Sequence, residues 1–440
     1  MKKVFALLLS LTLCLGLLSA CGGKTETPSA PSDDDSAPTA TGKVYYLNFK
    51  PEADQAWQEL AKTYTAQTGV EVKVVTAASG EYNTTLTAEM GKSEAPTLFQ
   101  CGNAQALLDW GDYCLDLTGT KVLDEMTTSD FNLVEDGATK AIGYCYEAFG
   151  IIVNKALLKE AGYELSDITN FETLKAVAED IHARSGELGF DAFSSSGLDG
   201  SSSWRFSGHL ANMPLFYEFR DDGVTEQPAE ITGAYLDNYR AIWDLYIDNA
   251  SASKSSLTTA TGDMSSGEFK EGKAVFYQNG TWEYAGLIDA GLKAEDLAMI
   301  PIYCGVDGEE NAGLCCGTEN CWAVNAKSSE EDIQATLDFM YWVVTSDEGT
   351  KMMAEQFGPI PFKNAKESEN VFFNDANAYM ADGKYTVTWA FNYTPNVDSW
   401  RATVVSALAA YSADQSDANW DAVKTAFVDG WAYEYGVQNG

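Results

Sequence analysis

Beyond its first forty residues, the chain alternates short apolar runs with stretches in which apolar residues recur at helical spacing. Residues 44–49 are rich in β-branched and aromatic side chains and predict a buried strand. The next segment carries one apolar face at helical spacing, formed by Trp57, Leu60, Ala61 and Tyr64. Gly69 marks the end of this helix, and residues 70–74 alternate as a second strand. A strand, helix and strand of this length predict a parallel crossover and hence an α/β sheet.

Similar patterns predict further strands and helices along the rest of the chain. Strands are predicted at 97–101, at 147–154 and at the end of 268–278, where Gly272 separates a short helix from the strand. Helices are predicted at 81–90, 104–113, 155–161, 171–184, 235–248, 333–344, 400–411 and 420–433.

Local signals predict where several of these helices begin. Asn170 is a predicted N-cap, and Ser328 with Glu331 forms a predicted capping box. Ser346 begins a helix that we expect to end before residue 357. Residues 186–208 are rich in serine and glycine and predict a loop that contains Trp204 and Arg205.

The order of these elements predicts an α/β protein with two lobes that face each other across a cleft. Ligands of open parallel sheets bind at the carboxyl ends of the strands. Two such sheets can turn those ends toward each other and enclose a ligand by hinge closure. The sequence shows no internal repeat and no second long apolar run, so we expect no membrane-spanning segment in the body.

The start of the chain carries an export signal. Two lysines precede an apolar run at 4–18, which is short for a membrane span and is followed by small residues. The run ends in Leu-Ser-Ala-Cys, an order that resembles a bacterial lipobox. This resemblance implies a signal peptide at 1–20, cleavage before Cys21, and a diacylglycerol on the Cys21 sulfur. The alternative is an ordinary signal peptide with a chance cysteine, and both place the remaining chain outside the cytoplasm.

Residues 21–42 are predicted to be the lipidated cysteine and a disordered tether. They are small, polar and proline-rich, with three consecutive aspartates at 33–35, so they have almost no apolar surface to bury. A flexible coil of this length spans on the order of 25 Å. We therefore expect a soluble body held on the extracytoplasmic face of the cell membrane.

The net charge of −37 limits the classes of ligand that the body can take. Such a surface repels nucleic acid and anionic headgroups, so we expect neither as a partner. Solubility in an external medium is the simplest explanation of the charge. Neutral and cationic ligands remain compatible with it.

The cysteines indicate neither a disulfide framework nor a metal site. Of nine, Cys14 leaves with the signal peptide and Cys21 takes the lipid, and the remaining seven are an odd number. Four of these lie at 304–321, but their spacing lacks the paired Cys-x-x-Cys knuckles of zinc ribbons. Buried free thiols are therefore favoured over a thiolate metal site. Because the only histidines, His182 and His209, are far apart in sequence, we expect no metal and no cofactor.

Four stretches of the body carry motifs in a characteristic order. The first is the strand, helix and strand at 44–75, and the second is Phe-Gly-Ile-Ile-Val-Asn-Lys at 149–155. The third is Phe-Lys-Glu-Gly-Lys-Ala-Val-Phe at 269–276, followed by Asn-Gly-Thr-Trp, and the fourth is the helix pair within 323–358. Together they resemble the bacterial extracellular solute-binding proteins of ABC importers, in particular the carbohydrate-binding family related to maltose- and oligosaccharide-binding proteins. Val153 departs from the Tyr-Asn-Lys with which that family ends its second motif.

The resemblance implies a discontinuous pair of lobes and a receptor without enzymatic activity. Its implied lobes are 43–146 plus 318–358 and 147–317 plus 359–440, with crossings at 146–150, 313–318 and 357–361. The receptor is expected to be a monomer that captures a carbohydrate and delivers it to the permease subunits of an ABC transporter. ATP hydrolysis would belong to a separate cytoplasmic subunit.

Sugar capture requires two kinds of surface. Flat aromatic rings cover the C–H face of a sugar, and planar polar side chains pair with its hydroxyls. Trp282 matches the cleft tryptophan of the resembled family, with Glu283 beside it, and Trp204 lies in a polar loop where an indole has few partners. The other predicted ligand-binding residues are Lys50, Glu52, Asn103, Tyr146, Trp389 and Trp400. Weaker candidates at strand ends and loops are Asn48, Gln100, Glu147, Arg205 and Asn392.

Three other functions fit the sequence less well. A lipid-anchored glycoside hydrolase needs two carboxylates flanking the scissile bond, and acidic residues are too abundant here to decide the question. A receptor for a polyamine, a peptide or another small solute shares the fold, and polyamine capture suits the negative charge. A structural adhesin is disfavoured because the sequence has no repeats.

Overall fold

The structure of the protein is a computed structural model that describes residues 42–440. The predicted signal peptide, the lipidation site at Cys21 and the tether up to residue 41 lie outside the described residues.

Twelve strands and sixteen α-helices, with short 3-10 turns between them, make up the described residues. The strands are β1 (Lys43–Asn48), β2 (Glu71–Thr76), β3 (Leu98–Gln100), β4 (Leu133–Glu135), β5 (Ala138–Gly143), β6 (Glu147–Asn154), β7 (Asp191–Phe193), β8 (Ala274–Gly280), β9 (Leu297–Ile300), β10 (Ala312–Gly317), β11 (Cys321–Val324) and β12 (Tyr385–Thr388). The helices are α1 (Asp54–Thr68), α2 (Tyr82–Met90), α3 (Ala104–Trp110), α4 (Lys121–Asp124), α5 (Lys155–Glu160), α6 (Phe171–Ala183), α7 (Ser185–Leu188), α8 (Ala211–Asp222), α9 (Leu236–Asp248), α10 (Gly262–Lys270), α11 (Glu283–Asp289), α12 (Glu330–Thr345), α13 (Asp347–Phe357), α14 (Val371–Ala381), α15 (Val397–Ala413) and α16 (Asp417–Asn439).

The first lobe is built on a six-stranded sheet in the order β2-β1-β3-β11-β5-β4. β1 pairs with β2 and β3 in parallel, so the predicted crossover is confirmed. The predicted face of α1 is confirmed as well, since it buries Trp57, Leu60, Ala61 and Tyr64, and Gly69 ends the helix with φ +78°. β11 enters from a distant part of the chain and lies antiparallel between β3 and β5.

The second lobe is built on a sheet in the order β12-β10-β6-β8-β7, and β9 adds a further partner to β6. β6 has the predicted bounds and is buried from Glu147 to Val153. It pairs antiparallel with β8, β9 and β10, which makes it the centre of this sheet. Each sheet carries hydrophobic clusters of its own, so the α/β fold with two lobes predicted from the sequence is confirmed.

The chain passes between the two sheets more than once. β5 of the first sheet is followed by β6 of the second, and β10 of the second is followed by β11 of the first. After β11, helices α12 and α13 pack against β1 and α1 of the first lobe, and α14 then packs against β9 and β10 of the second. Short segments at these passages therefore connect the lobes.

The prediction of a loop over residues 186–208 is wrong near both ends of this range. Residues 191–193 form β7, and Arg205–Leu210 is a buried π-helical turn that continues into α8. Arg205 is fixed by donating hydrogen bonds to the carbonyls of Gln278 (2.9 Å) and Ser195 (3.2 Å). These tertiary contacts override a local composition rich in serine and glycine.

The predicted helix caps are confirmed with one shift of register. Asn170 accepts a hydrogen bond from the Thr173 backbone amide (2.9 Å), as expected of an N-cap. The cap of α12 is Ser329, which accepts from the Asp332 amide (3.1 Å), so the predicted Ser328 capping box is wrong by one residue. Because Ser328 and Ser329 are adjacent, the sequence alone cannot tell which of the two serines caps the helix.

The seven cysteines within residues 42–440 are buried free thiols, as the sequence favoured. No group of three or more His, Cys, Asp or Glu side chains in this part of the chain is arranged to hold a metal ion. None of its helices has an apolar stretch long enough to cross a membrane.

A half-buried acid in the second lobe generates a pH-dependent stability prediction. Asp375 on α14 accepts a hydrogen bond from the Met299 amide on β9 (2.8 Å), and burial raises the pKa of Asp375 from 3.8 to about 6. Between these values the folded chain keeps a proton that the unfolded chain has released, so the free energy of unfolding falls as the pH rises through this window. Asp375→Asn keeps an acceptor oxygen and removes the titration. We expect the wild-type free energy of urea unfolding to fall relative to that of Asp375→Asn as the pH rises from about 4 to about 6.

Asp307→Asn is the matched control, because Asp307 is an exposed aspartate of the same lobe. Its curve should follow the wild type. Parallel curves for wild type and Asp375→Asn would contradict the assignment.

Candidate functional site

A buried ion pair joins the lobes at the base of the groove between them. Lys50 follows β1 of the first lobe, and Glu147 is the first residue of β6 in the second. Lys50 Nζ lies 2.8 Å from Glu147 Oε1, and the two side chains are only 8% and 5% exposed. Asn320 donates a hydrogen bond to the other oxygen of Glu147 (2.7 Å). The carboxyl end of β1 therefore faces the start of β6, and carboxyl ends of strands are where ligands of open sheets bind.

The surroundings of Lys50 hold it in the charged form. Its ammonium also lies 3.5 Å from Glu52 and 4.7 Å from the centre of the Trp282 ring. Burial lowers the pKa of Lys50, but the carboxylates of Glu147 and Glu52 outweigh this effect and raise it above the ordinary value. The cation is thus compensated by acids and by an aromatic face.

Trp282 is positioned by its own strand. It follows β8, whose last residue is Gly280, and a Cβ on Gly280 would overlap the indole ring. A glycine is therefore required for the ring to lie against the main chain. The same device recurs at Gly317, where a Cβ would approach the Trp389 ring to 2.7 Å.

Trp204, His209 and Trp282 form an aromatic cluster on the wall of the second lobe. The ring of Trp204 lies 5.0 Å from His209 and 6.1 Å from Trp282, and His209 lies 5.5 Å from Trp282. Both indoles are half-buried, whereas His209 is buried and stacks on Phe149 at 3.9 Å. Burial, followed by the charges of Arg401 and Arg205, lowers the pKa of His209 well below its ordinary range. The imidazole is therefore neutral near pH 7.

Two further acids lie close to this cluster and to the ion pair. Glu283 accepts a hydrogen bond from Asn279 (3.0 Å), and burial raises its pKa. Glu319 accepts from Asn103 (3.0 Å), and burial raises its pKa while Arg401 opposes the shift. Both groups can accept hydrogen bonds, and both favour a proton more than an exposed glutamate does.

Several buried polar atoms near the groove have no hydrogen-bond partner within the described residues. They include Gln100 Oε1 at the end of β3, Asn392 Oδ1 and Arg401 Nε. Each such atom costs about 1–3 kcal/mol when it stays unpaired. Hydroxyl groups, which both donate and accept, are suited to relieve this cost.

The two lobes touch at the rim of the groove. Ser79 Oγ donates to the Ser201 carbonyl (3.3 Å), and Asn83 Nδ2 donates to Asp398 (2.7 Å). Gly80 has φ +79°, and a Cβ there would collide with the carbonyl oxygen of Gly200. The structure is therefore a closed conformation, with main chain against main chain at this rim.

The structure brings five of the predicted ligand-binding residues into this groove. They are Lys50, Glu52, Trp204, Trp282 and Glu283. The Asn103 side chain also borders the groove, because its amide nitrogen donates to Glu319 (3.0 Å). Its side-chain oxygen caps α3 by accepting a hydrogen bond from the Ala106 amide (2.9 Å).

Other predicted residues lie outside the groove or play a packing role. Trp400 is wrong as a ligand contact, because it is 1% exposed and its indole nitrogen donates to the Phe427 carbonyl (2.9 Å) between α15 and α16. Tyr146 packs between Phe131 (5.8 Å) and Phe373 (6.2 Å). Trp389 is 8% exposed and stacks on Phe391.

Among the weaker candidates, Glu147 is part of the interlobe ion pair, whereas Asn48 and Arg205 hydrogen-bond to main-chain carbonyls. The buried Asn48 side chain donates to the Lys50 carbonyl (2.7 Å) and so shapes the turn that presents Lys50. Arg205 holds the π-helical turn in place.

Three residues of the groove had no signal in the sequence analysis. His209 enters the aromatic cluster only because the π-helical turn carries it there. Glu319 lies in the connection between β10 and β11, Arg401 lies near the start of α15, and both look like surface charges in the sequence. Their proximity depends on closure of the lobes.

Comparison with known proteins gives a consistent result. Residues 59–381 match the family model described as bacterial extracellular solute-binding protein. Among solved structures, the raffinose complex of RafE is 14% identical with a TM-score of 0.69, covering 88% of this chain and 99% of that one. A chitin oligosaccharide binding protein is 16% identical with a TM-score of 0.68, covering 90% and 99%. The GacH receptor of Streptomyces glaucescens, solved unliganded and with acarbose, is 20% identical with a TM-score of 0.65, covering 90% and 99%. At these low identities, the TM-scores show that the fold is shared.

The buried ion pair generates a stability prediction. Lys50→Met keeps an apolar stem but leaves Glu147 buried without its cation, and we expect a loss of about 3–5 kcal/mol in the free energy of unfolding. The double variant Lys50→Met/Glu147→Gln removes both charges and should lose less than the single variant. Chemical denaturation measures both effects.

The exposed pair of Lys351 and Glu355 on α13 supplies the control. Lys351→Met should change the free energy of unfolding by less than about 1 kcal/mol. A similarly small effect of Lys50→Met would show that the interlobe pair contributes little.

Proposed function

The chain belongs to the bacterial extracellular solute-binding proteins, and from that premise we propose that it is the receptor of an ABC importer for a sugar or oligosaccharide. The ligand would be enclosed between the lobes and delivered to a membrane permease. The receptor itself would catalyse no reaction.

The observation that carries this proposal is the composition of the groove. Half-buried Trp204 and Trp282 face the groove beside Glu283 and Glu319, and buried polar atoms nearby have no hydrogen-bond partner among residues 42–440. Indole rings suit the C–H face of a sugar, and acids and amides suit its hydroxyls. A phosphorylated or carboxylated ligand fits poorly, because acids around the groove outnumber the available cations.

The closed rim supports capture by hinge closure. Because the two lobes meet through main-chain atoms at Gly80 and Gly200, closure leaves little space for solvent on this side. We propose the lobe boundaries 43–146 plus 318–358 and 147–317 plus 359–440, with hinge segments near 146–150, 313–318 and 357–361. The passages of the chain between the two sheets support this division.

We also propose that Cys21 is lipidated and tethers the receptor to the extracytoplasmic face of the membrane. The lipobox-like start of the sequence supports this assignment. Metabolic labelling with an alkyne palmitate in a bacterial host, with Cys21→Ser as the control, tests it.

A second candidate ligand is a cationic solute such as a polyamine. Four acids, Glu52, Glu147, Glu283 and Glu319, lie in or beside the groove, and Lys50, one of the cations near them, is already paired with Glu147. Spermidine therefore belongs in the binding panel. Binding of spermidine and of no sugar would replace the proposed ligand class.

The Trp282→Ala variant tests the proposed sugar site. A thermal-shift panel of neutral glycans identifies a ligand, since 100 times its dissociation constant adds about 2.7 kcal/mol to stability. We expect Trp282→Ala to weaken binding of that glycan at least tenfold, as measured by calorimetry, because it loses the aromatic platform.

Trp342→Ala is the control, because Trp342 is also half-buried but packs on Tyr64, away from the groove. It should leave the affinity unchanged. If Trp282→Ala lowers the melting temperature but preserves the affinity, Trp282 is a core residue.

A matched glycine pair tests closure. Gly80→Ala and Gly119→Ala both place a side chain at φ near +78°, but only the first collides with the opposite lobe. We expect similar losses of melting temperature, and weaker glycan binding for Gly80→Ala alone. Equal affinities of the two variants would contradict closure at this rim.

A further inference from the structure

A second cavity lies between the lobes, away from the aromatic cluster. Its volume is about 260 Å³. Its main lining residues are Gln105, Leu107 and Leu108 from α3 of the first lobe and Gln227, Tyr393 and Gln438 from the second. Both lobes contribute to it, so its shape depends on closure.

The strand order places this cavity at the opposite end of the groove from the closed rim. The rim contacts involve the loop after β2, which is one edge strand of the first sheet. The cavity is also lined by Glu135 of β4, which is the other edge strand. One end of the groove is therefore sealed by main-chain contact, and the other ends in a cavity.

The residues that line the cavity are direct chain neighbours of polar residues of the groove. Asn103 bonds to Glu319 and directly precedes α3, whose first turns line the cavity. Asn392, whose side-chain oxygen is buried without a partner, directly precedes Tyr393. Polar groups of the groove therefore adjoin the lining of the cavity along the chain at Asn103 and Asn392.

The lining has the chemistry of a site for an uncharged ring. Leu108 is 65% exposed, and Tyr393 offers an aromatic face. Gln227 and Gln438 are already ordered, since Gln227 donates to the Tyr393 carbonyl (2.9 Å) and Gln438 donates to Gln227 (3.1 Å). Gln105 Oε1 is buried and has no hydrogen-bond partner within the described residues. Apolar surface with a few oriented amides is typical of specific small-ligand sites.

We propose that this cavity is a subsite for the sugar unit that extends beyond the aromatic cluster. The preferred ligand is then an oligosaccharide rather than a monosaccharide, with one end at the closed rim and the other in the cavity. This inference rests on the proposed sugar-binding function. The volume of about 260 Å³ lies just below the roughly 300–1,000 Å³ of sites for drug-sized ligands, which suits a single ring.

Calorimetry with ligands of increasing length tests the inference. The probes are galactose, melibiose, raffinose and stachyose, xylose to xylotetraose, and N-acetylglucosamine to its tetramer. In the series that binds, we expect the longest members to bind at least about fivefold more tightly than the single sugar, which corresponds to about 1 kcal/mol.

Two variants locate the gain in the cavity. Leu108→Ala removes an exposed apolar contact, and Tyr393→Leu removes the aromatic face but keeps bulk. Both variants should reduce the gain in affinity with ligand length and leave the affinity for the shortest binding member of the series unchanged. Met380→Ala, at another exposed apolar residue, is the control and should keep the gain.

The outcomes separate the inference from the proposed function. Affinity that does not depend on length, or a gain that survives in both variants, overturns the subsite while sugar binding stands. If no member of the three series binds, the proposed function fails and the subsite fails with it.

Discussion

The contact between Lys50 and Glu147 is the constraint on which the arrangement of the groove depends. It crosses from one sheet to the other at the point where the chain itself crosses, and it is almost completely removed from water. A buried charge is tolerated only when it is paired, so each partner requires the other lobe. The same ammonium lies over Trp282, which links the ion pair to the aromatic wall.

This arrangement has a mechanical consequence for ligand entry. The ring of Trp282 lies against the main chain at Gly280 and carries the Lys50 ammonium 4.7 Å from its centre. A sugar that stacks on this ring must share it with the cation or displace it. Displacement would cost an aromatic contact of about 0.5–2 kcal/mol while leaving the carboxylate contacts of Lys50 in place. Among the cation–ring contacts of the described residues, none involves Trp204, so its ring is not shared with a cation in this way.

Sequence patterns predicted the elements well because those elements depend on local chemistry. The buried face of α1, the bounds of β6 and the glycine ends of helices follow from periodicity and from backbone freedom. Lys50 and Glu52 were predicted as ligand contacts because they follow a strand at its carboxyl end, and Trp282 because it matches the cleft tryptophan of the resembled family; the structure brings all three together. His209, Glu319 and Arg401 were missed because only tertiary packing assembles them. Trp400 shows the converse, since a tryptophan near the start of a helix looks the same whether it faces a groove or a core.

The glycines beneath the two indoles limit which residues can occur together at two pairs of positions. An alanine at 280 cannot coexist with the present rotamer of Trp282, and Gly317 stands in the same relation to Trp389. A relative with a smaller residue in place of Trp282 no longer needs glycine at position 280. A relative with a smaller residue in place of Trp389 no longer needs glycine at position 317, in the neighbouring strand. Divergence at the Trp282 ring should therefore appear as correlated changes at positions 280 and 282, rather than as an independent substitution of the tryptophan.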